Sequence, residues 1–250
     1  LLTCCPQPGK ARSRLILEAL SQGWKGGRAT AFYGVVGIEA LFLDAVGSRE
    51  DWLYGDNSFF DRGRGVFFRF ARNAFQVSSM QRPDHARLAA LGVEVEPWGS
   101  NGRHVVVVEQ SEHFLSLSGA APDWLGGTVS ALRAATDRPI RVRRWSRDKM
   151  GASATLRADL RDAWALVTHT SAASNEALLA GVPAFVTGRC AASPMASGKL
   201  SEIERPRYPS GRRSWAAGLA GAQWTIEELR DGTAWRSIGQ GLVSDPGHTA

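Results

Sequence analysis

The sequence predicts an α/β protein built from two Rossmann-like halves. Three observations carry this. Residues 162–187 read as strand, helix, strand with minimal connections: an apolar run at 164–167, a small polar patch at 168–171, a helical run at 172–180 stopped by Gly181, and a second apolar strand opening at Pro183. Strands joined through one helix in this way are parallel. The first 54 residues alternate helical and strand patterns, which is the βα rhythm of such a half. His104 followed by Val105, Val106, Val107 and Val108 is a near-continuous apolar run, as expected of a strand covered on both faces.

The elements follow in order. Residues 11–22 place Leu15, Ile16, Ala19 and Leu20 at helical spacing, and Gly23 with Gly26-Gly27 ends that helix. Residues 29–36 are β-rich and end in Gly37, 38–46 read as an amphipathic helix, and 52–54 as a short strand. A short helix at 85–91 and a strand at 93–95 lead into 97–102, whose Pro, Gly, Ser and Asn mark a linker. The second half opens with 104–108. Residues 123–135 read as a helix with Pro122 near its first turn, 139–145 as a basic strand and 155–162 as a helix. Residues 197–214 are polar and rich in Pro and Arg, which predicts a mobile loop. Thr225 with Glu228 three residues on is a capping box that starts a helix. The final residues, 244–250, read as disordered.

The chain has 250 residues and a net charge of +6. No apolar run reaches the length of a membrane span, and residues 1–6 lack the pattern of a signal peptide. Cys4, Cys5 and Cys190 form no CxxC and no Cys/His set, which argues against structural zinc and for a reducing compartment. The expectation is a cytoplasmic monomer with no metal and no membrane partner. Positive charge is clustered at Arg138, Arg141, Arg143, Arg144, Arg147 and Lys149; at Arg62, Arg64, Arg69 and Arg72; and at Arg205, Arg207, Arg212 and Arg213. Such clusters suit a polyanion or a diphosphate, and equally a solvated basic face.

The polar patch at 168–171 lies at the carboxyl end of a strand and the start of a helix, where open α/β sheets bind anionic ligands. With Glu176-Ala177-Leu178-Leu179-Ala180-Gly181-Val182-Pro183 behind it, the segment resembles the donor-binding half of GT-B glycosyltransferases. Leu53-Tyr54-Gly55-Asp56-Asn57-Ser58-Phe59-Phe60 and the run Phe67-Phe68-Arg69-Phe70-Ala71-Arg72-Asn73-Ala74-Phe75-Gln76 look like a segment of phage-type glycosyltransferases that modify hydroxymethylated DNA bases. Gln223-Trp224-Thr225-Ile226-Glu227-Glu228-Leu229, with Gly232 and Trp235, is similar to the tail of that group.

The resemblance implies two Rossmann-like lobes facing a cleft: 1–100 on the acceptor side, 101–222 binding the donor, and 223–250 a carboxyl-terminal helix and tail. It implies a nucleotide-sugar co-substrate, UDP-glucose first among them, with no further cofactor. The acceptor would be a 5-hydroxymethylpyrimidine, such as 5-hydroxymethylcytosine, in bacteriophage DNA. A glycosyltransferase of cell-surface polysaccharide and a non-catalytic nucleotide- or DNA-binding module are the alternatives.

Sugar transfer needs charge or oriented N–H groups for the leaving diphosphate and a base for the acceptor hydroxyl. Thr170, Ser171 and Ser174, with Arg144 and Lys149, are the candidates for the diphosphate; the hydroxyls also suit helix capping. His169 orients the diphosphate or a sugar hydroxyl, or is a satisfied structural residue. Glu176 suits the ribose diol, as two acceptor oxygens would, or is a surface residue favoured by the helix dipole. Gln110 and Glu112 sit at the mouth of the second half. Asp56 is the candidate base and Asp61 its near competitor, against the reading of Gly-Asp-Asn-Ser as a turn. Arg62, Arg64, Arg69, Arg72, Arg212 and Arg213 are the candidates for nucleic-acid contact. The phenylalanines interleaved with the first four stack a displaced base or pack the core.

Overall fold

The computed structural model describes residues 1–60, 65–99, 101–145 and 155–240. In chain order they form β1 (Leu2–Cys5), α1 (Ala11–Gly23), β2 (Ala29–Tyr33), α2 (Glu39–Gly47), β3 (Asp51–Asn57), β4 (Phe68–Arg72) and α3 (His85–Ala90). There follow β5 (His104–Val108), α4 (Glu112–Leu117), α5 (Trp124–Arg133), β6 (Ile140–Arg143), α6 (Leu156–Leu160), β7 (Ala163–Thr168), α7 (Ala173–Leu179) and β8 (Ala184–Val186). A 3₁₀ turn (Leu200–Glu202), α8 (Arg212–Gly221), α9 (Ile226–Arg230) and α10 (Thr233–Gln240) complete the order. The chain divides into two compact units. The first holds Leu1–Val77, Gln81–Leu91 and the chain from Gly218 on; the second holds Ser78–Met80 and Gly92–Ala217.

The first unit is a four-stranded sheet in the order β1-β2-β3-β4, with β1, β2 and β3 parallel and β4 antiparallel to β3. Helix α1 buries Ile16, Ala19 and Leu20 as expected, with Leu17 in place of Leu15, which faces solvent at 47% exposure. Helix α2 buries a single side chain, Phe42, whose ring lies 5.2 Å from Phe32, 5.2 Å from Trp52 and 5.3 Å from Phe75. The pairing of β3 with β4 sets Gly55 opposite Phe70. A Cβ at 55 would come within 2.4 Å of that ring, so the aromatic fills the place of a side chain. The capping box forms as read: the Thr225 hydroxyl accepts from the Glu228 N–H at 3.2 Å, and the Thr225 N–H donates to the Glu228 carboxylate at 2.9 Å. Helix α9 then packs on α1, where a Cβ on Gly23 would stand 2.0 Å from the Leu229 carbonyl oxygen.

The second unit is a parallel sheet in the order β6-β5-β7-β8. Strand β5 explains its own composition. Val105 and Val107 enter one core with Trp124, Leu132, Ala165, Val167, Phe185 and Ile203; Val106 and Val108 enter the other with Leu160, Leu166, Ala177 and Val182. Both faces are covered, so the strand has no polar face. Helix α7 ends as the sequence signals. The Val182 N–H donates to the Ala177 carbonyl at 2.9 Å and that of Gly181 to Leu178 at 3.4 Å, with Gly181 at φ 73°. This is a Schellman closure, which needs the left-handed conformation that glycine adopts at no cost.

Several expectations are corrected. Residues 93–95 form no strand, because their neighbours bond elsewhere: the Glu96 N–H donates to Leu179 and that of Gly99 to Gly181. Residues 92–99 lie with the second unit, as do Ser78–Met80, and the residues from 218 on lie with the first. The predicted loop at 197–214 is a packed segment: Ile203 is fully buried in the sheet core, Ser197 bridges to Phe185, and the 3₁₀ turn and α8 arise within it. Strand β3 runs to Asn57, so Asp56 is a strand residue rather than one following the strand. Strands β1 and β4 and helices α4 and α8 are additions to the sequence reading. Residues 244–250 lie outside the described residues.

Candidate functional site at the carboxyl edge of the second sheet

All four strands of the second unit are parallel, so the segments leaving β5, β6, β7 and β8 emerge on one edge. The chain runs from β5 to β6 on one side and returns to β7 on the other. Between β5 and β7, then, the winding reverses, and neighbouring connections diverge to leave a crevice. Gln110 and Thr170 meet there. The Gln110 carbonyl oxygen accepts from the Thr170 N–H at 2.7 Å, and the Gln110 amide donates to the Thr170 hydroxyl at 3.2 Å.

His169 is 4% exposed and both ring nitrogens are engaged. Nε2 lies 3.2 Å from the Ser118 carbonyl oxygen, which can only accept, so Nε2 carries a proton. Nδ1 lies 2.9 Å from the Thr187 hydroxyl, and that hydroxyl accepts from the Trp124 indole N–H at 2.7 Å. The Gly188 N–H donates to the His169 carbonyl at 3.1 Å, and a Cβ on Gly188 would come within 2.6 Å of both His169 and Thr170. The segments after β7 and β8 are thus bound face to face, and His169 holds them together.

The expected site residues divide clearly. Thr170 is 4% exposed at the crevice, with its N–H and hydroxyl both on Gln110, and half-buried Ser171 follows it. Ser174, fully buried, donates its hydroxyl to the Ser171 carbonyl at 2.7 Å and so supports the turn from within. Arg144 lies on the same edge, 70% exposed and paired with Glu109 at 3.2 Å. Glu176 is exposed on α7. Lys149 and Asp61 lie outside the described residues, as do Arg62 and Arg64.

Asp56 is engaged on both oxygens: one accepts from Arg69 at 2.7 Å, the other from the Asn57 N–H at 2.7 Å. Arg69 itself is 6% exposed, donates also to the carbonyls of Asn57 and Phe75 at 2.9 Å each, and lies over the Phe59 ring. Its guanidinium is committed inside the first unit and is withdrawn from any nucleic-acid surface. Arg212 is corrected in the same way. It is 6% exposed, donates to the Leu178 and Glu96 carbonyls and stacks 3.6 Å over Trp98, and burial lowers its pKa. Arg72 pairs with Asp51, whose carboxyl that hydrogen bond holds below the usual range. Arg213 is exposed. Phe59, Phe60, Phe68 and Phe70 are core residues at 6% exposure or less, so base stacking is left to half-buried Phe67.

Trp124, Thr187, Gly188 and Arg189 enter the site without a sequence signal, because only the sheet order brings them to His169. Asn175 is a further addition: 2% exposed, with neither amide atom bonded among the described residues.

Two α/β units, one with a mixed sheet and one with a parallel sheet that carries a topological switch point, define a Rossmann-like architecture. Among the solved structures that share this fold are two of Thermosulfurimonas dismutans KpsC. The beta Kdo 2,4 transferase aligns at TM-score 0.53 and 14% identity over 86% of this chain and 89% of its own. The beta Kdo 2,7 transferase aligns at 0.54 and 13% over 94% and 98%. The chain therefore has a fold found in glycosyltransferases. No protein-family model matches the chain, and no curated protein does. Among the described residues no helix is long and apolar enough to cross a membrane.

Proposed function

We propose that the protein is a glycosyltransferase that takes a nucleotide-activated sugar at the β5/β7 crevice and transfers it to a hydroxyl of a polysaccharide acceptor. The observation that carries this reading is the switch point itself: Gln110 and Thr170 locked across it, in a fold shared with two sugar transferases. In the reaction the acceptor oxygen bonds to the anomeric carbon, the bond to the nucleotide oxygen breaks, and the acceptor proton passes to a base. Thr170, Ser171 and Arg144 would face the leaving phosphates, and Glu176 the ribose. Asp56 stands as the base in this proposal, with Arg69 orienting it.

The polysaccharide acceptor takes precedence over DNA for two reasons. The fold's neighbours act on Kdo, and two of the arginines offered for DNA, Arg69 and Arg212, are spent on internal bonds. The donor nucleotide is proposed as a uridine diphosphate. Calorimetry with uridine diphosphate should give saturable binding, weakened about tenfold in Glu176→Ala, the low end for a hydrogen bond to an exposed charged group. Mass spectrometry of oligosaccharide and hydroxymethylated DNA, each incubated with a panel of nucleotide sugars, should find a hexose- or sugar-acid-sized gain on the oligosaccharide. Absence of binding to every nucleotide tested would overturn the reading; a gain on DNA alone would replace its acceptor.

A further inference from the structure

Beside the crevice lies a second concavity that the proposed reaction leaves unused. It has a volume of about 330 Å³ and opens where β8 ends, between Thr187–Arg189 and the turn that carries Ser193, Ser197 and Gly198. Its chemistry is one-sided. Among the described residues, three hydroxyl side chains and one guanidinium line it and no carboxylate does. Arg189 is exposed, and its single hydrogen bond among the described residues runs from Nη2 to the Ser78 hydroxyl at 3.3 Å. The other N–H groups of its fork are therefore unspent. Ser197 is 4% exposed and its hydroxyl has no partner among the described residues, a buried polar group still to be satisfied. The wall shared with the crevice is Gly188, which touches His169 and Thr170 directly. A ligand seated at Thr170 thus has this pocket as its immediate neighbour.

We propose that this pocket is an anion subsite, which takes a carboxylate or phosphate group carried by a hydroxylated ligand, and that Arg189 is the residue that selects for the charge. The guanidinium fork matches two oxygens of either anion, and the hydroxyls suit the remaining polar edge of a sugar. A neutral sugar can take only ordinary hydrogen bonds from Arg189, whereas an anion gains a charge-assisted, two-oxygen pair. The inference rests on the glycosyltransferase reading for its ligand: the subsite would hold either the acid group of the transferred sugar or a phosphate of its nucleotide.

Amide-resolved NMR of the full chain separates these cases, with sodium glucuronate, inorganic phosphate and glucose as probes. The expected result is that an anionic probe shifts the amides of Gly188, Arg189 and Gly198, that glucose does not, and that Arg189→Gln weakens the response about tenfold, as loss of a charged hydrogen bond at an exposed site implies. A glucuronate response that persists under saturating uridine diphosphate assigns the pocket to the sugar's acid group. A phosphate response abolished by uridine diphosphate assigns it to the nucleotide. Equal shifts from glucose, an unchanged response in Arg189→Gln, or no shift from any probe overturns the subsite. Uridine diphosphate shifting Gln110 and Thr170 while the anions leave the pocket silent would overturn the subsite alone. Anions filling the pocket while no nucleotide reaches the crevice would overturn the donor reading instead.

Discussion

The pairing of Asp56 with Arg69 puts two roles on one carboxylate. Arg69 is almost wholly buried, and Asp56 is its only counter-charge among the described residues. Asp56→Asn keeps the shape and one acceptor but removes the charge. We expect it to cost about 1–3 kcal/mol of stability in urea denaturation, the range for weakening a hydrogen bond to a charged group. A domain of ordinary stability, about 5–15 kcal/mol, stays folded after such a loss. Turnover can therefore be measured on the same variant. If Asp56 is also the base, the rate at saturating substrates falls by about 10²–10⁴-fold. Reduced stability with normal turnover would leave Asp56 as the partner of Arg69 and nothing more. His169 illustrates the opposite outcome at this scale. Its position after an apolar strand left two readings open, and the Ser118 and Thr187 bonds give it a structural task.

Among the elements, the contact of α1 with α9 depends on the absence of a side chain at Gly23. A methyl group there would press on the Leu229 carbonyl and the backbone of Gly232, neither of which is a flexible side-chain end. Gly23→Ala should cost about 1–3 kcal/mol, the usual penalty for overpacking. Thr225→Ala removes half of the capping box on the same helix and should cost about 0.5–2 kcal/mol. Hydrogen exchange locates the effect. Protection should fall in α1 and α9 while β5 and β7 keep theirs, since those strands belong to the other compact unit. Equal loss in both units would show that their stabilities are not separable. The segment at 197–214 carries the complementary lesson. Polar composition predicted a loop, yet a single apolar residue, Ile203, anchors it in the sheet core.

For the whole molecule, a net charge of +6 guarantees some attraction to polyanions, which salt will weaken as counterions are released. Attraction of this kind reads no base. With four of the interleaved phenylalanines and Arg69 inside the core, we expect equal affinity for hydroxymethylated and unmodified duplex, by fluorescence anisotropy at two salt concentrations. A preference for the hydroxymethylated duplex would restore DNA as the acceptor.

The sequence alone determined what depends on local patterning. Hydrophobic patterning placed α1, β5, α5, β7, α7 and β8 close to their observed bounds, because burial on one face leaves a period and burial on both leaves a continuous apolar run. The stop at Gly181 and the box at Thr225 were legible for the same reason: their bonds close within a few residues. Thr170 and Ser171 were legible as the end of a strand. What the tertiary structure alone decided is which charges are spent and which distant side chains meet. Arg69 and Arg189 look alike in a sequence, but one is enclosed by β3, Phe59 and the Phe75 carbonyl while the other stands open beside a pocket. Gln110 reaches Thr170 across sixty residues because the sheet order β6-β5-β7-β8 makes their strands neighbours. Strand order is set by the packing of whole elements, and no local pattern encodes it.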